Sequence, residues 1–172
     1  MPTFRLHPLL AAVFWGGLIA GTIDIFSASV INGLSPVVIL HAIASGLIGK
    51  TSFEGGVPTA ILGLVLQWAM SILIAAIYVA GTAALPGMRR RWGETGVLAG
   101  VVTFLVMNYV VVPLSAAPFK PPLTLEGLLT VFTPYKFTAN LIAMILFGLI
   151  IAFLARYFLA SQAQTQSPSA GR

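Results

Sequence analysis

The sequence predicts an all-α integral membrane protein: a bundle of four transmembrane helices with a short interfacial or re-entrant helix in the first outer loop. Three observations predict it. First, charged residues make up 8% of the 172-residue chain and hydrophobic residues 58%. Soluble domains carry about a quarter charged residues, and so few charges cannot cover a surface facing water. Second, long stretches carry no charge at all, at 6–23, 25–49, 55–88, 95–119 and 137–155; crossing a bilayer core takes about 20 apolar residues in a helix. Third, the basic residues fall unequally on the two sides of a four-span arrangement.

The first span is expected at residues 9–31. Arg5 followed by "LLAAVFWGGLIAG" has the polarity of a secretory signal. The apolar run is too long for one, and Leu18 spoils the small-residue cleavage pattern ending at Ala20, so the segment reads as a retained span. The first outer loop follows, with "SPVVILHAIASGLIGK". Ser35 stands as N-cap, Pro36 at the first helical position and Gly49 as stop, which predicts a helix over 36–48. About 13 residues are short of a crossing by the usual length criterion.

The second span is expected at 59–83, opened by Pro58 and closed by Leu85-Pro86-Gly87. The third covers 95–115, with Pro113 kinking or closing it, and the fourth 137–158. The loop between them, "APFKPPLTLEGLLTVFTPY", is Pro-rich at its start, and residues 124–132 suit a short amphipathic surface helix. Residues 1–160 thus form one transmembrane domain. The polar stretch "SQAQTQSPSAGR", 161–172, is expected to be a disordered cytoplasmic tail.

Charge sets the expected orientation. Arg5, Arg89, Arg90, Arg91, Arg156 and Arg172 share one side, and Lys50, Lys120 and Lys136 the other. The "RRR" loop is short, where the positive-inside rule counts most, so both termini are expected in the cytoplasm. The +5 net charge therefore has a topological origin, and no nucleic-acid partner is expected. The absence of cysteine excludes disulfides and thiolate metal sites.

The stretch "ASGLIGKT" at 44–51 looks like a relaxed phosphate-binding loop. Such a loop needs a strand before it and a helix opening after it, so that backbone N–H groups surround the phosphates. Here Lys50 follows the end of a helix, no second acidic motif accompanies it, and no nucleotide is expected. Gly49-Lys50 reads as a helix stop with a snorkelling cation.

Asp24 is the most informative residue. It lies about 22 Å up the first span by helix rise, where a carboxylate costs about 2.5–3.5 kcal/mol unless it is neutral, paired or facing water. Gln67, Asn108 and Asn140 fall in the middle or outer half of the bilayer too, and Tyr109, Lys136 and the His41 helix lie near it. Together Asp24, Gln67, Asn108, Asn140 and His41 make a candidate polar pocket capped by the outer loop. The bland alternative is structural: Asn and Gln cross-link spans by hydrogen bonds, and Asp24 pairs with Lys136 or Lys50.

Small residues at helical spacing predict close packing: Gly17 with Gly21, Gly96 with Gly100, and the seam of Gly63, Gln67, Ser71 and Ala75. Trp15, Trp68 and Trp92 read as lipid-facing or interfacial anchors. No catalytic signature is present; His41 and Ser45, one turn apart, lack an oxyanion hole and an orienting acid. The metal-ligating residues are too few for a metal site, and no cofactor is expected.

Four stretches carry a resemblance: "GLIAGTIDIFSASV", "ILHAIASGLIGK", "WAMSILIAAIYV" and "VMNYVVVPLSAAP". Over about residues 8–158 the chain resembles an uncharacterised group of small four-span bacterial inner-membrane proteins and is similar to the YagU-like membrane proteins. The resemblance implies a bacterial inner-membrane location and an Asp in the first span, with no substrate attached. The leading expectation is a solute- or proton-linked transport or binding module acting as a homo-oligomer or with a membrane-protein partner. The rival is an accessory subunit locked by Asp24, and the third an intramembrane hydrolase using His41 and Ser45.

Overall fold

The structure is a computed structural model describing residues 7–118 and 134–165, apart from the side chains of Pro86 and 161–165. The helix expected at 124–132 lies outside the described residues. Among those described, every regular element is helical: α1 Pro8–Asn32, α2 Pro36–Ile48, α3 Gly56–Ala84, α4 Pro86–Arg90, α5 Trp92–Val106, α6 Val112–Leu114 and α7 Pro134–Thr165. A 3-10 turn, Gly49–Phe53, follows α2, and a π-helical turn, Met107–Val111, joins α5 to α6.

Five stretches are long and apolar enough to cross a membrane: Pro8–Asn32, Pro36–Phe53, Gly56–Ala84, Trp92–Leu114 and Pro134–Ala160. Gly49, with φ of 70° and ψ of −151°, ends the α-helix as expected, and the fifth candidate arises because a 3-10 turn follows it without a gap. That turn brings the stretch to 18 residues. At the other end, α7 runs to Thr165, into the segment expected as tail, where Ala160, Gln162, Ala163 and Gln164 favour helix.

Glycines set the packing. A Cβ on Gly17 would stand 2.5 Å from the Ile72 Cα, and one on Gly21 2.5 Å from the Ser71 hydroxyl, so α1 and α3 meet nearly backbone to backbone. Gly96, Gly100 and Gly148 do the same for α5 and α7. In a bilayer, where lipid supplies no drive to bury side chains, close approach of this kind is what holds helices together. Ala12, Ala20, Ala75, Phe147, Ile151, Ala152 and Ala155 fill the core between them.

The pairs give the helix directions. Gly16 lies against Ala75, Gly17 against Ile72 and Gly21 against Trp68, so α1 and α3 are antiparallel. Gly96 meets Ala152 and Gly100 meets Met144, so α5 and α7 are antiparallel too. The end of α1 and the start of α3 therefore share one end of the bundle. The stretch 36–53 begins and finishes at that same end. Its Gly46 carbonyl accepts from the Ala116 N–H just beyond α6, at 2.8 Å.

Side chains fasten both ends. Ser35 caps α2 by accepting from Val38 N–H, and Gly33, with φ of 64°, closes α1 in a left-handed conformation that suits glycine. His41 is buried, with Nδ1 2.7 Å from the Ser52 carbonyl and 2.9 Å from the Thr59 hydroxyl. A carbonyl only accepts, so Nδ1 carries the proton. At the opposite end the Tyr78 and Thr95 hydroxyls lie 2.8 Å apart, and Arg89 Nη2 donates to the Leu159 carbonyl at 2.9 Å.

Candidate functional site

The antiparallel register of α1 and α3 brings Asp24 and Gln67 face to face. Gln67 Nε2 donates to Asp24 Oδ2 at 2.8 Å, and the same nitrogen lies 3.5 Å from the Gly21 carbonyl. The absence of side chains at Gly17 and Gly21 is what lets α3 approach closely enough for this bond. One residue on, Trp68 Nε1 donates to the Thr22 hydroxyl at 3.1 Å, while that hydroxyl donates to the Leu18 carbonyl at 2.7 Å. Trp68 is thus a cross-link within the bundle, where the sequence suggested a lipid or interfacial anchor.

Asp24 and Gln67 border a cavity of about 30 Å³ between α1, α3, α5 and α7. Ser71 and Thr103, both buried, line it as well. Neither side chain forms a hydrogen bond among the described residues. Met70, Met107 and Met144 supply much of the remaining wall; thioether chains are flexible and fill irregular gaps without fixing a rigid shape. A water needs about 10–15 Å³ of such space and two to four polar partners, so the cavity has room for one.

Met107 also opens the π-helical turn, in which Val112 N–H reaches back five residues to the Met107 carbonyl. Pro113 explains it: proline has no N–H for the Tyr109 carbonyl, and its ring crowds that carbonyl, so the helix widens. Asn108 sits within the turn and donates to the Phe104 carbonyl at 2.8 Å.

The remaining candidates stand elsewhere. Asn140 Nδ2 donates to the Lys136 carbonyl of its own helix at 2.8 Å. His41 is engaged with Ser52 and Thr59 at the end of the bundle where α3 starts, and Ser45 donates to the Ala42 carbonyl at 2.6 Å. No His41–Ser45 hydrogen bond is present among the described residues. Lys50 is exposed in the 3-10 turn. Lys136 lies eight residues before Met144, about 12 Å along the helix. Asn108, Asn140 and His41 are not among the residues lining the Asp24 cavity.

Sequence reasoning missed Thr103 and the three methionines. A signal was present, since Thr103 and Met107 are four apart, as are Gln67 and Ser71, and residues at that spacing share a helix face. No group of three or more His, Cys, Asp or Glu that would hold a metal occurs among the described residues. Comparison with protein-family models, curated proteins and solved structures finds no match to this chain.

Proposed function

We propose that the protein is a multi-pass membrane module whose Asp24 site binds a proton or a small monovalent cation, as part of transport or ion-linked binding. The observation that carries this reading is the Asp24 carboxylate, hydrogen-bonded to Gln67 at 2.8 Å and bordering a small, partly polar cavity between the helices. Intramembrane ionisable residues are expensive, and their default role is functional. A cavity of about 30 Å³ has no room for an organic solute without helix movement. One carboxylate balances one positive charge, which favours a monovalent occupant over a divalent one.

In the same reading, four helices cross and α2 with its 3-10 turn lies across the outer end. The antiparallel pairing of α1 with α3, which puts both ends of 36–53 at one end of the bundle, supports it. The arginines of α4 then face the cytoplasm with both termini, in a bacterial inner membrane, consistent with the resemblance to YagU-like proteins. Four spans enclose little space for a transport path, so the module works as a homo-oligomer or with a membrane-protein partner. No enzymatic step is assigned to it.

The test is reconstitution into liposomes carrying pH- and sodium-sensitive dyes, wild type beside Asp24→Asn. The reading expects ion movement or ion-dependent binding in the wild type and its loss in a folded mutant. A second reading, that Asp24–Gln67 is only a structural lock, is favoured by the neighbouring Trp68–Thr22 bond on the same seam. It expects no ion response in either protein and a loss of stability in the mutant.

A further inference from the structure

A second cavity lies on the outer surface of the bundle, away from Asp24. It is an open groove of about 380 Å³ lined by Ile19 of α1, Trp92 of α5 and Leu149, Ile150, Phe153 and Leu154 of α7. The four α7 residues fall at i, i+1, i+4 and i+5, which makes one stripe along the helix. The groove starts near the middle of α1 and α7 and finishes at Trp92, the first residue of α5. Its long axis therefore follows the helices from mid-bundle to the arginine-bearing end.

That end is chemically different from the rest of the groove. The Arg156 guanidinium carbon lies 5.6 Å from the centre of the Trp92 ring, one turn beyond Phe153, whose own ring meets Trp92 edge-on at 5.9 Å. A guanidinium held beside a ring retains N–H donors for a phosphate, which its planar fork recognises well. Arg89 of α4, which donates to the Leu159 carbonyl one turn beyond Arg156, adds positive charge at this end. Arg91, by contrast, is paired with Glu94 at 3.5 Å. An apolar channel at acyl-chain depth that ends in a Trp–Arg pair has the layout of a phospholipid, chain first and headgroup last.

We propose that this groove is a selective site for one phospholipid with an anionic headgroup. The acyl chain lies on Ile19, Leu149, Ile150 and Leu154, and the phosphate is held by Arg156 beside Trp92. Any lipid wets an apolar groove, so the claim is selectivity, carried by charge complementarity at the mouth. It stands independently of the Asp24 site.

The test is native mass spectrometry of the full chain in detergent, titrated with phosphatidylglycerol or phosphatidylcholine bearing identical acyl chains. The wild type is expected to retain one phosphatidylglycerol per chain with roughly five-fold preference, the change expected from one arginine near an anionic group. Arg156→Gln removes the preference. Ile19→Trp, which fills the groove from its lipid-facing wall and leaves the arginines untouched, removes retention of both lipids. Equal retention of the two lipids by the wild type overturns the proposal, as does an unchanged preference in either variant.

Discussion

Gln67 donates a 2.8 Å hydrogen bond to Asp24 across 43 positions of sequence, joining α1 to α3 at the wall of the inner cavity. Gln67→Leu leaves the carboxylate without that donor, and the expected loss of stability is about 1–3 kcal/mol. In a double-mutant cycle with Asp24→Asn, the coupling is expected at about 0.6–2 kcal/mol, the range for polar pairs between membrane helices. Unfolding in mixed micelles measures both; additive effects would show that the bond adds nothing.

The close approach of α1 to α3 predicts strong position dependence among glycines. Gly17→Ala and Gly21→Ala force a Cβ into Ile72 and Ser71, with an expected cost of about 1–3 kcal/mol each. Gly87→Ala and Gly93→Ala meet nothing within 4 Å and are expected to be near neutral. Thermal unfolding of the four variants side by side checks the contrast.

His41 holds the 3-10 turn through the Ser52 carbonyl and the start of α3 through Thr59. His41→Ala is expected to speed amide exchange across 49–56 while leaving α5 and α7 protected. Lys50→Ala, at an exposed side chain of the same turn, is expected to leave exchange unchanged. Hydrogen–deuterium exchange in detergent reads both variants. Equal protection in His41→Ala and wild type would remove the anchoring role.

The absence of cysteine allows the path of 36–53 to be mapped by single-cysteine labelling in sealed vesicles. Ser35→Cys and Glu54→Cys, both at exposed positions, are expected to react from the same side, and Arg90→Cys from the opposite side. Labelling of positions 35 and 54 from opposite sides would make α2 a fifth crossing.

What the sequence made legible follows from its physics. Runs without charge specify apolar helices of membrane length, and Ser35-Pro36 and Gly49 mark the ends of α2 by cap chemistry alone. The 3-10 turn at Gly49–Phe53 that follows this stop was not legible, because a 3-10 turn has no apolar period of its own. Nor was the π-helical turn at Met107–Val111, which Pro113 explains only once the helix is seen to continue past it.

For the site, counting residues puts Asp24 and Gln67 at one depth. Which helix faces meet depends on packing, and that resides in Gly17, Gly21 and Ser71. Asn108 and Asn140 lie at similar depth yet bond to carbonyls of their own helices, an option that depth cannot distinguish from a shared pocket. Trp68 looked like an anchor because tryptophan favours interfaces. Its bond to Thr22 depends on the same rotation of α3 that brings Gln67 to Asp24.

In the proposed function, the Asp24 carboxyl exchanges a proton or a monovalent cation while the bundle stays folded. Infrared difference spectroscopy of the protein in lipid, recorded as pH or sodium concentration is switched, tests it most directly. A carboxyl or carboxylate band is expected to respond to the switch in the wild type, to shift in Gln67→Leu and to be lost in Asp24→Asn. A spectrum with no responding band, or one identical in wild type and Asp24→Asn, would contradict it and leave Asp24 as a lock between α1 and α3.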